Sequence, residues 1–558
     1  MTAETNNAPL LDVRDLTVAL PPGADRRHAV EGLTFTLERG EILCVVGESG
    51  SGKSMTAHAV MGLLPKAVKV ASGAIRHHGT DVLSLPERAQ RELRGSRVAM
   101  IFQEPMTALN PLMRVGDQID EVLRYHTSLD RAARRARVVE LLASVGLPEP
   151  DHLRRSYPFR LSGGQRQRVM IAMALAVEPD VLIADEPTTA LDVTTQKQIL
   201  ELIREIQAKR RMGVMFITHD FGVVAEIAHR VAVMQHGRLV EIGPAAEVLN
   251  RPQHPYTRQL IAAVPHLIEH RADFGRERTP VLTAERVSKT FHIGGGFFRP
   301  GRTVVAGQDI SLTIHRGETV GLVGESGSGK STLGRSIVGL IRPDSGKIMF
   351  EGVDLLSLSR HAFRPYRRHV QMVFQDPYAS LNPRHTVGDI ITQGPVAFGT
   401  DRRTALAKAR DLLTLVGLDA SAADRFPHEF SGGQRQRISI ARALALEPKL
   451  LIADEPVSAL DVSVQAQVLD LLEELRHRLT LSMLFITHDL RIAAQVCDTI
   501  AVMQKGRIVE IGPAREVFGD PQHAYTRQLL DAIPGKAWTM PEDLVPTPRR
   551  GASARTGT

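Results

Sequence analysis

The hydrophobic pattern of this chain runs through two similar cycles. Each opens on a stretch that reads as a strand, Leu10 to Leu20 and again Val281 to Phe291. A second short strand then leads into the loop GESGSGKS, and a helical pattern follows it both times. The middle of each cycle, roughly 115–160 and 387–430, is rich in Ala, Leu and Arg and reads as helices. Further on, VLIADE and LLIADE are short apolar runs that end in acids. Unbroken apolar runs of this kind suit parallel strands buried on both faces, with the acids at their carboxyl ends. Between the cycles lies PHLIEHRADFGRERTP, 265–280, polar and flanked by prolines. Extended, it reaches about 50 Å, enough for the two copies to face each other. The expected organisation is an arm at 1–9, a first domain at 10–250, its extension and linker at 251–280, a second domain at 281–519, its extension at 520–545, and a disordered tail at 546–558.

The cycles share letters as well as pattern. GESGSGKS stands at 47–54 and 324–331, SGGQRQR at 162–168 and 431–437, LIADEP at 182–187 and 451–456, and FITHD at 216–220 and 485–489. HPYTRQL at 254–260 returns as HAYTRQL at 523–529. All but the first pair are offset by 269 residues, and the first by 277, so one half carries net insertions between its first two motifs. One domain has been duplicated and joined, and both copies keep their chemical residues.

Composition narrows the class. The chain has 558 residues, with 43% hydrophobic and 23% charged, which excludes a collagen-like or mostly disordered protein. No run of 18 apolar residues is present, so no bilayer-crossing helix is expected, and the amino terminus has no secretory pattern. Two cysteines, Cys44 and Cys497, cannot build a disulfide framework or a four-cysteine metal site, and a reducing cytoplasm is the expected compartment. The net charge of +7 fits nucleic acid, an anionic membrane surface or a solvated arginine-rich surface, and decides nothing alone.

GxxxxGK[ST] is a phosphate cradle, because its glycines let backbone N–H groups turn inward at the start of a helix. In the first copy it comprises Gly47, Glu48, Ser49, Gly50, Ser51, Gly52, Lys53 and Ser54. In the second it comprises Gly324, Glu325, Ser326, Gly327, Ser328, Gly329, Lys330 and Ser331, with Thr332 following. Lys53 and Lys330 are expected to reach the β- and γ-phosphates of a bound nucleotide, and Ser54 and Ser331 to ligate Mg2+. Asp185 and Asp454 are placed to hold the magnesium shell. Glu186 and Glu455, one step on, are placed as general bases toward a water; the bland alternative is an acid pair capping the turn before Pro187 or Pro456. His219 and His488 follow apolar runs as structural histidines do, but their duplication in register with the acids favours a γ-phosphate contact.

LSGGQ at 161–165 and FSGGQ at 430–434 resemble the signature motif of ATP-binding cassette (ABC) ATPases, and with the loop, acids and histidine the resemblance covers nearly all of both halves. It implies an α/β fold of two tandem P-loop NTPase domains. Each would have a mostly parallel core sheet, an antiparallel β subdomain and a helical signature subdomain. Gln103 in FQEP and Gln375 in FQDP match the family's glutamine loops, which touch the metal and the attacking water; Leu191–Asp192 and Leu460–Asp461 match its D-loops. The family's head-to-tail sandwich implies two composite ATP sites. One joins Lys53, Asp185, Glu186 and His219 to Ser431, Gly432, Gly433 and Gln434. The other joins Lys330, Asp454, Glu455 and His488 to Ser162, Gly163, Gly164 and Gln165. The adenine-stacking aromatic of the family matches Phe291, but Leu20 stands at the first-half position, where the loop 21–28 is the alternative source of a contact.

The segments FQEPMTALNP and FQDPYASLNPR, and the extensions ending in HPYTRQL and HAYTRQL, resemble the peptide/nickel import group within that family. The implied role is the peripheral ATPase of an importer at the cytoplasmic face of the cell membrane. Its partners would be two transmembrane permeases and, indirectly, an extracytoplasmic solute-binding protein. Di- or oligopeptides are the favoured cargo, with glutathione or nickel as alternatives. No iron–sulfur cluster is expected, since no cysteine lies between 254 and 285, and no nucleic-acid partner. A ribosome-associated paired-cassette ATPase would need a long helical connector, and a DNA-repair or chromosome ATPase would need coiled coils or zinc cysteines.

Overall fold

The computed structural model describes residues 8–189, 191–265, 279–293, 302–458 and 460–544. The chain divides into two compact units, Met1–Leu191 with Thr195–Val264 and Pro534–Thr558, and Asp192–Thr194 with Pro265–Ile533. The expected arm at 1–9 and linker at 251–280 fall partly outside the described residues, and the tail at 546–558 falls wholly outside them.

In the first unit, β1 (Leu11–Ala19) pairs antiparallel with β2 (His28–Leu37) and with β4 (Lys69–His77), and β5 (Thr80–Asp81) completes a four-stranded sheet in the order β2-β1-β4-β5. A second sheet of six strands comprises β3 (Ile42–Val46), β6 (Val98–Ile101), β7 (Val181–Asp185), β8 (Gly213–Ile217), β9 (Arg230–Gln235) and β10 (Arg238–Pro244). Its order is β10-β9-β3-β8-β7-β6, parallel throughout except for β10 at the edge. Every residue of β3, β7 and β8 is buried, which is why these segments are unbroken apolar runs.

The sequence pattern shows one strand between β1 and the phosphate loop; the structure has two. β2 shows a mixed pattern because only part of it is covered, so it lacks the apolar run that marks β3.

The second unit repeats the plan. The four-stranded sheet is β12-β11-β14-β15, from β11 (Pro280–Ile293), β12 (Arg302–His315), β14 (Ser345–Phe350) and β15 (Val353–Asp354). The core sheet is β16-β17-β18-β13-β19-β20, from β13 (Thr319–Val323), β16 (Val370–Val373), β17 (Leu450–Asp454), β18 (Ser482–Thr487), β19 (Thr499–Gln504) and β20 (Arg507–Pro513).

The middle of each unit is helical, with Val115–His126 and Arg131–Ser144 in one and Val387–Ala397 and Arg402–Leu415 in the other. The second helix of each pair starts on an aspartate cap, Asp130 accepting from Ala133 N at 2.8 Å and Asp401 from Arg403 N at 3.0 Å. Among the described residues no helix is long and apolar enough to cross a membrane. Residues 534–544 belong to the first unit, where Trp538 Nε1 donates to Asn250 Oδ1 at 3.2 Å and Arg258 pairs with Asp543 at 2.6 Å.

Candidate functional site

Parallel strands present their carboxyl ends along one edge of a sheet. β8 lies between β3 and β7, so three sequence-distant segments meet there: the loop after β3, the acids ending β7 and the histidine following β8. The loop turns into the helix Lys53–Val60 at Gly52, whose φ is +103. A Cβ on Gly52 would lie 2.6 Å from the Ala29 carbonyl oxygen, and one on Gly329 (φ +106) would run into that of Ala306. Only glycine fits both the backbone conformation and the space.

Lys53 is buried, and its ammonium donates to the carbonyls of Gly47 at 2.7 Å and Glu48 at 2.8 Å. Lys330 does the same with Gly324 and Glu325, at 2.7 and 2.8 Å. The charge is thus held at the loop itself, beside a helix N-terminus.

Ser54 Oγ donates to Asp185 Oδ1 at 3.1 Å, and Ser331 Oγ to Asp454 Oδ1 at 2.8 Å. Burial pushes both carboxyls above their ordinary range, and the serine bonds oppose that shift. Asp454 is fully buried, and its Oδ2 has no hydrogen-bond partner. A buried carboxylate oxygen left without a donor beside a hydroxyl is a hard-oxygen set that fits Mg2+.

Glu186 and Glu455 have left-handed backbones, φ +46 and +47, a sparsely populated region for a side-chain-bearing residue. Their N–H groups bond to Ile217 O at 3.0 Å and Ile486 O at 2.9 Å, on the neighbouring strands. Glu186 Oε1 lies 3.3 Å from His219 Nδ1, and its Oε2 accepts from Gln103 Nε2 and Thr189 Oγ1, both at 3.0 Å. Glu455 lies 3.2 Å from His488 Nδ1 and accepts from Gln375 Nε2 at 2.8 Å. Burial alone would raise the Glu186 pKa, but the hydrogen bond and charge of His219, with Lys53 behind, hold it down to about 2. Glu455 is lowered in the same way by His488. Burial pulls both histidines down, and the glutamates more than reverse it, so both are raised. In each unit the structure therefore brings lysine, serine, aspartate, glutamate, glutamine and histidine into one cluster. The histidine Nδ1 and the glutamine amide nitrogen both face the glutamate.

Ser162 caps the helix Gly163–Ala174, accepting from Gln165 N at 3.2 Å while Gln165 Oε1 accepts from Ser162 N at 3.0 Å. Ser431 and Gln434 repeat this box on Gly432–Leu444, and both serines are exposed. A Cβ on Gly164 would lie 2.6 Å from Thr195 Cγ2, and one on Gly433 would meet Val464, so these glycines admit a neighbouring helix. Phe291 lies in β11, with the Lys289 ammonium 5.5 Å from its ring centre. Leu20 instead packs on the apolar core, while Arg26, in the adjoining loop, donates to the Gly50 carbonyl of the phosphate loop.

Sequence reasoning missed one contact. The Glu48 N–H donates to Tyr256 Oη at 3.1 Å, and the Glu325 N–H to Tyr525 Oη at 3.2 Å. These tyrosines come from HPYTRQL and HAYTRQL, whose histidines cap the helices Pro255–Ala262 and Ala524–Asp531. The repeat of a tyrosine in both extensions was the available signal; its target 208 or 200 residues away was not.

The ABC transporter family profile matches residues 30–189 and 307–458. The profile of the oligopeptide/dipeptide transporter C-terminal region matches 240–300 and 509–549. The chain is 49% identical over 536 residues to the peptidoglycan transport ATP-binding protein YejF of Agrobacterium fabrum, covering 95% of this chain and 97% of that one. It is 47% identical over 557 residues to the glutathione import ATP-binding protein GsiA of Escherichia coli, covering 94% and 89%. Among solved structures, cbiO1 from Clostridium perfringens matches at 30% identity with a TM-score of 0.38, over 44% of this chain and 92% of that one. With two nucleotide cassettes in one chain, each followed by the transporter extension, this protein belongs to the ABC transporter ATPase family.

Proposed function

We propose that the chain is the ATP-hydrolysing subunit of a membrane importer for short peptides. The extension carries this reading: both copies hold a tyrosine on the phosphate loop, and both match the oligopeptide/dipeptide transporter region. Within each unit the lysine and the loop N–H groups bind the phosphates of ATP. Ser54 with Asp185, and Ser331 with Asp454, hold Mg2+, with Gln103 and Gln375 as further ligands. Bound there, the cation neutralises charge on the β- and γ-phosphates. Glu186 and Glu455 orient the attacking water and accept its proton, and His219 and His488 pass between the glutamate and the γ-phosphate. The signature helices, led by Ser162, Gly163, Gly164 and Gln165 and by Ser431, Gly432, Gly433 and Gln434, close on the nucleotide held by the other cassette. Binding then favours the closed pair and hydrolysis reopens it. Two permeases ride on that motion, and the chain works on the cytoplasmic face of the membrane.

Glutathione is itself a short peptide, and relatives at 47% identity are glutathione import proteins, which supports it as the second candidate cargo. Reconstitution with a pair of permeases and a solute-binding protein of the peptide importer type tests the reading. ATP-dependent uptake of labelled di- or oligopeptides is expected. Uptake of glutathione alone would select the second candidate, and uptake of neither would refute the assignment.

A further inference from the structure

β4 delivers His77 to a place where the four-stranded sheet meets the core sheet, and the turn after it carries His78 at φ +46. Asp180 arrives from the residue preceding β7, its N–H bonded to Arg97 O at 2.9 Å. One ligating atom from each of the three lies within 4.8 Å of the other two, the one such trio among the described residues. His78 Nε2 is 3.6 Å from Asp180 Oδ2, and the two imidazole rings stand nearly perpendicular with centroids 4.5 Å apart. His77 is only 6% exposed, and its buried Nε2 has no hydrogen-bond partner. Buried polar atoms are rarely left so, and an orphaned imidazole nitrogen beside a second imidazole and a carboxylate points to a missing ligand.

The second unit supplies the comparison. His77 pairs with Leu11 as Phe350 pairs with Leu282. Lys449 N bonds to His369 O at 2.9 Å, as Asp180 N bonds to Arg97 O. At this place the second unit has an apolar ring and a plain ion pair, Lys449 to Glu351 at 2.7 Å. Closing the sheets together therefore needs no histidine.

We propose that His77, His78 and Asp180 bind a divalent transition cation of the zinc class, which ties the antiparallel sheet of the first unit to its core sheet. Two imidazoles and a carboxylate fill three tetrahedral positions and leave one for water. Nitrogen donors select such a cation over Mg2+ or Ca2+, which take oxygen. Arg97, mostly exposed and 3.4 Å from the same Asp180 oxygen, is the group the cation displaces.

The test is Zn2+ titration of the full, tag-free chain without nucleotide, by competition with a chromogenic chelator and by thermal melting. The native chain should take up about one equivalent and melt higher with zinc, while Mg2+ gives no such rise. Two variants transplant the second unit's residues, His77→Phe, and His78→Glu together with Asp180→Lys. Each should bind that equivalent at least about tenfold more weakly, with unchanged melting in chelator. Zinc-edge absorption of the native chain should show two imidazoles, a readout independent of variant folding. No uptake by the native chain, uptake unchanged in either folded variant, or a shell without imidazole would overturn the proposal.

Discussion

Gln103 Nε2 donates to Glu186 Oε2 at 3.0 Å, and Gln375 stands in the same relation to Glu455 at 2.8 Å. Each glutamine follows the core strand that leads into the helical middle of its unit, β6 or β16. That hydrogen bond ties the segment entering the helical region to the carboxylate next to the phosphate loop.

If the glutamates accept the proton from water, replacing both, Glu186→Gln with Glu455→Gln, lowers ATP turnover by about 100- to 10,000-fold. ATP binding stays, because the loop, lysine and serine are untouched. Turnover and equilibrium nucleotide binding measured on the single and double variants check this. Single variants that retain part of the rate would show both cassettes turning over.

The histidine–glutamate pairs make stability depend on pH in a defined direction. His219 and His488 are raised by their glutamates, so their contribution is complete below the ordinary histidine range and fades as pH rises through the raised values. Glu186 is held at about 2, so its contribution persists above the ordinary glutamate range and is lost only as pH falls toward 2. Thermal melts from pH 6 to 9 should show the native chain losing stability relative to a His219→Gln, His488→Gln variant.

Tyr256 and Tyr525 are buried, 5% and 4% exposed, and each hydroxyl accepts an N–H of the phosphate loop. Tyr→Phe at either position removes that hydrogen bond, at about 0.5–1.5 kcal/mol. ATP affinity of the affected cassette should fall by up to roughly tenfold. Calorimetric titration checks it, and an unchanged affinity would reduce the extension to packing.

Gly52→Ala and Gly329→Ala each force a left-handed residue, at about 1–2 kcal/mol, and drive a methyl into a carbonyl oxygen. Loss of ATP binding at the mutated cassette, with far-ultraviolet circular dichroism retained, is the expected outcome.

The adenine contacts should differ between the cassettes. Phe291→Leu is expected to weaken ATP at the second cassette by about 1–3 kcal/mol, the scale of base–aromatic stacking. Arg26→Ala should act on the first, where the arginine braces Gly50. Nucleotide titration of each variant in the Glu→Gln background separates the two sites.

Much of this protein was legible without coordinates. The duplication, the phosphate loops, the acid pairs and the signature motifs are contiguous strings, and continuous apolar runs mark the buried parallel strands, because burial on both faces leaves no polar position to break them. What no local pattern carries is the strand order. Placing β8 between β3 and β7 sets the histidine against the glutamate rather than simply near a phosphate, and it follows from long-range pairing alone. The tyrosine on the phosphate loop and the His77, His78 and Asp180 trio are likewise invisible along the chain. Hydrophobic period is a property of neighbouring residues, whereas these contacts join residues from 33 (His219 to Glu186) to 208 (Glu48 to Tyr256) positions apart. Only the packed sheets decide which of those ends meet.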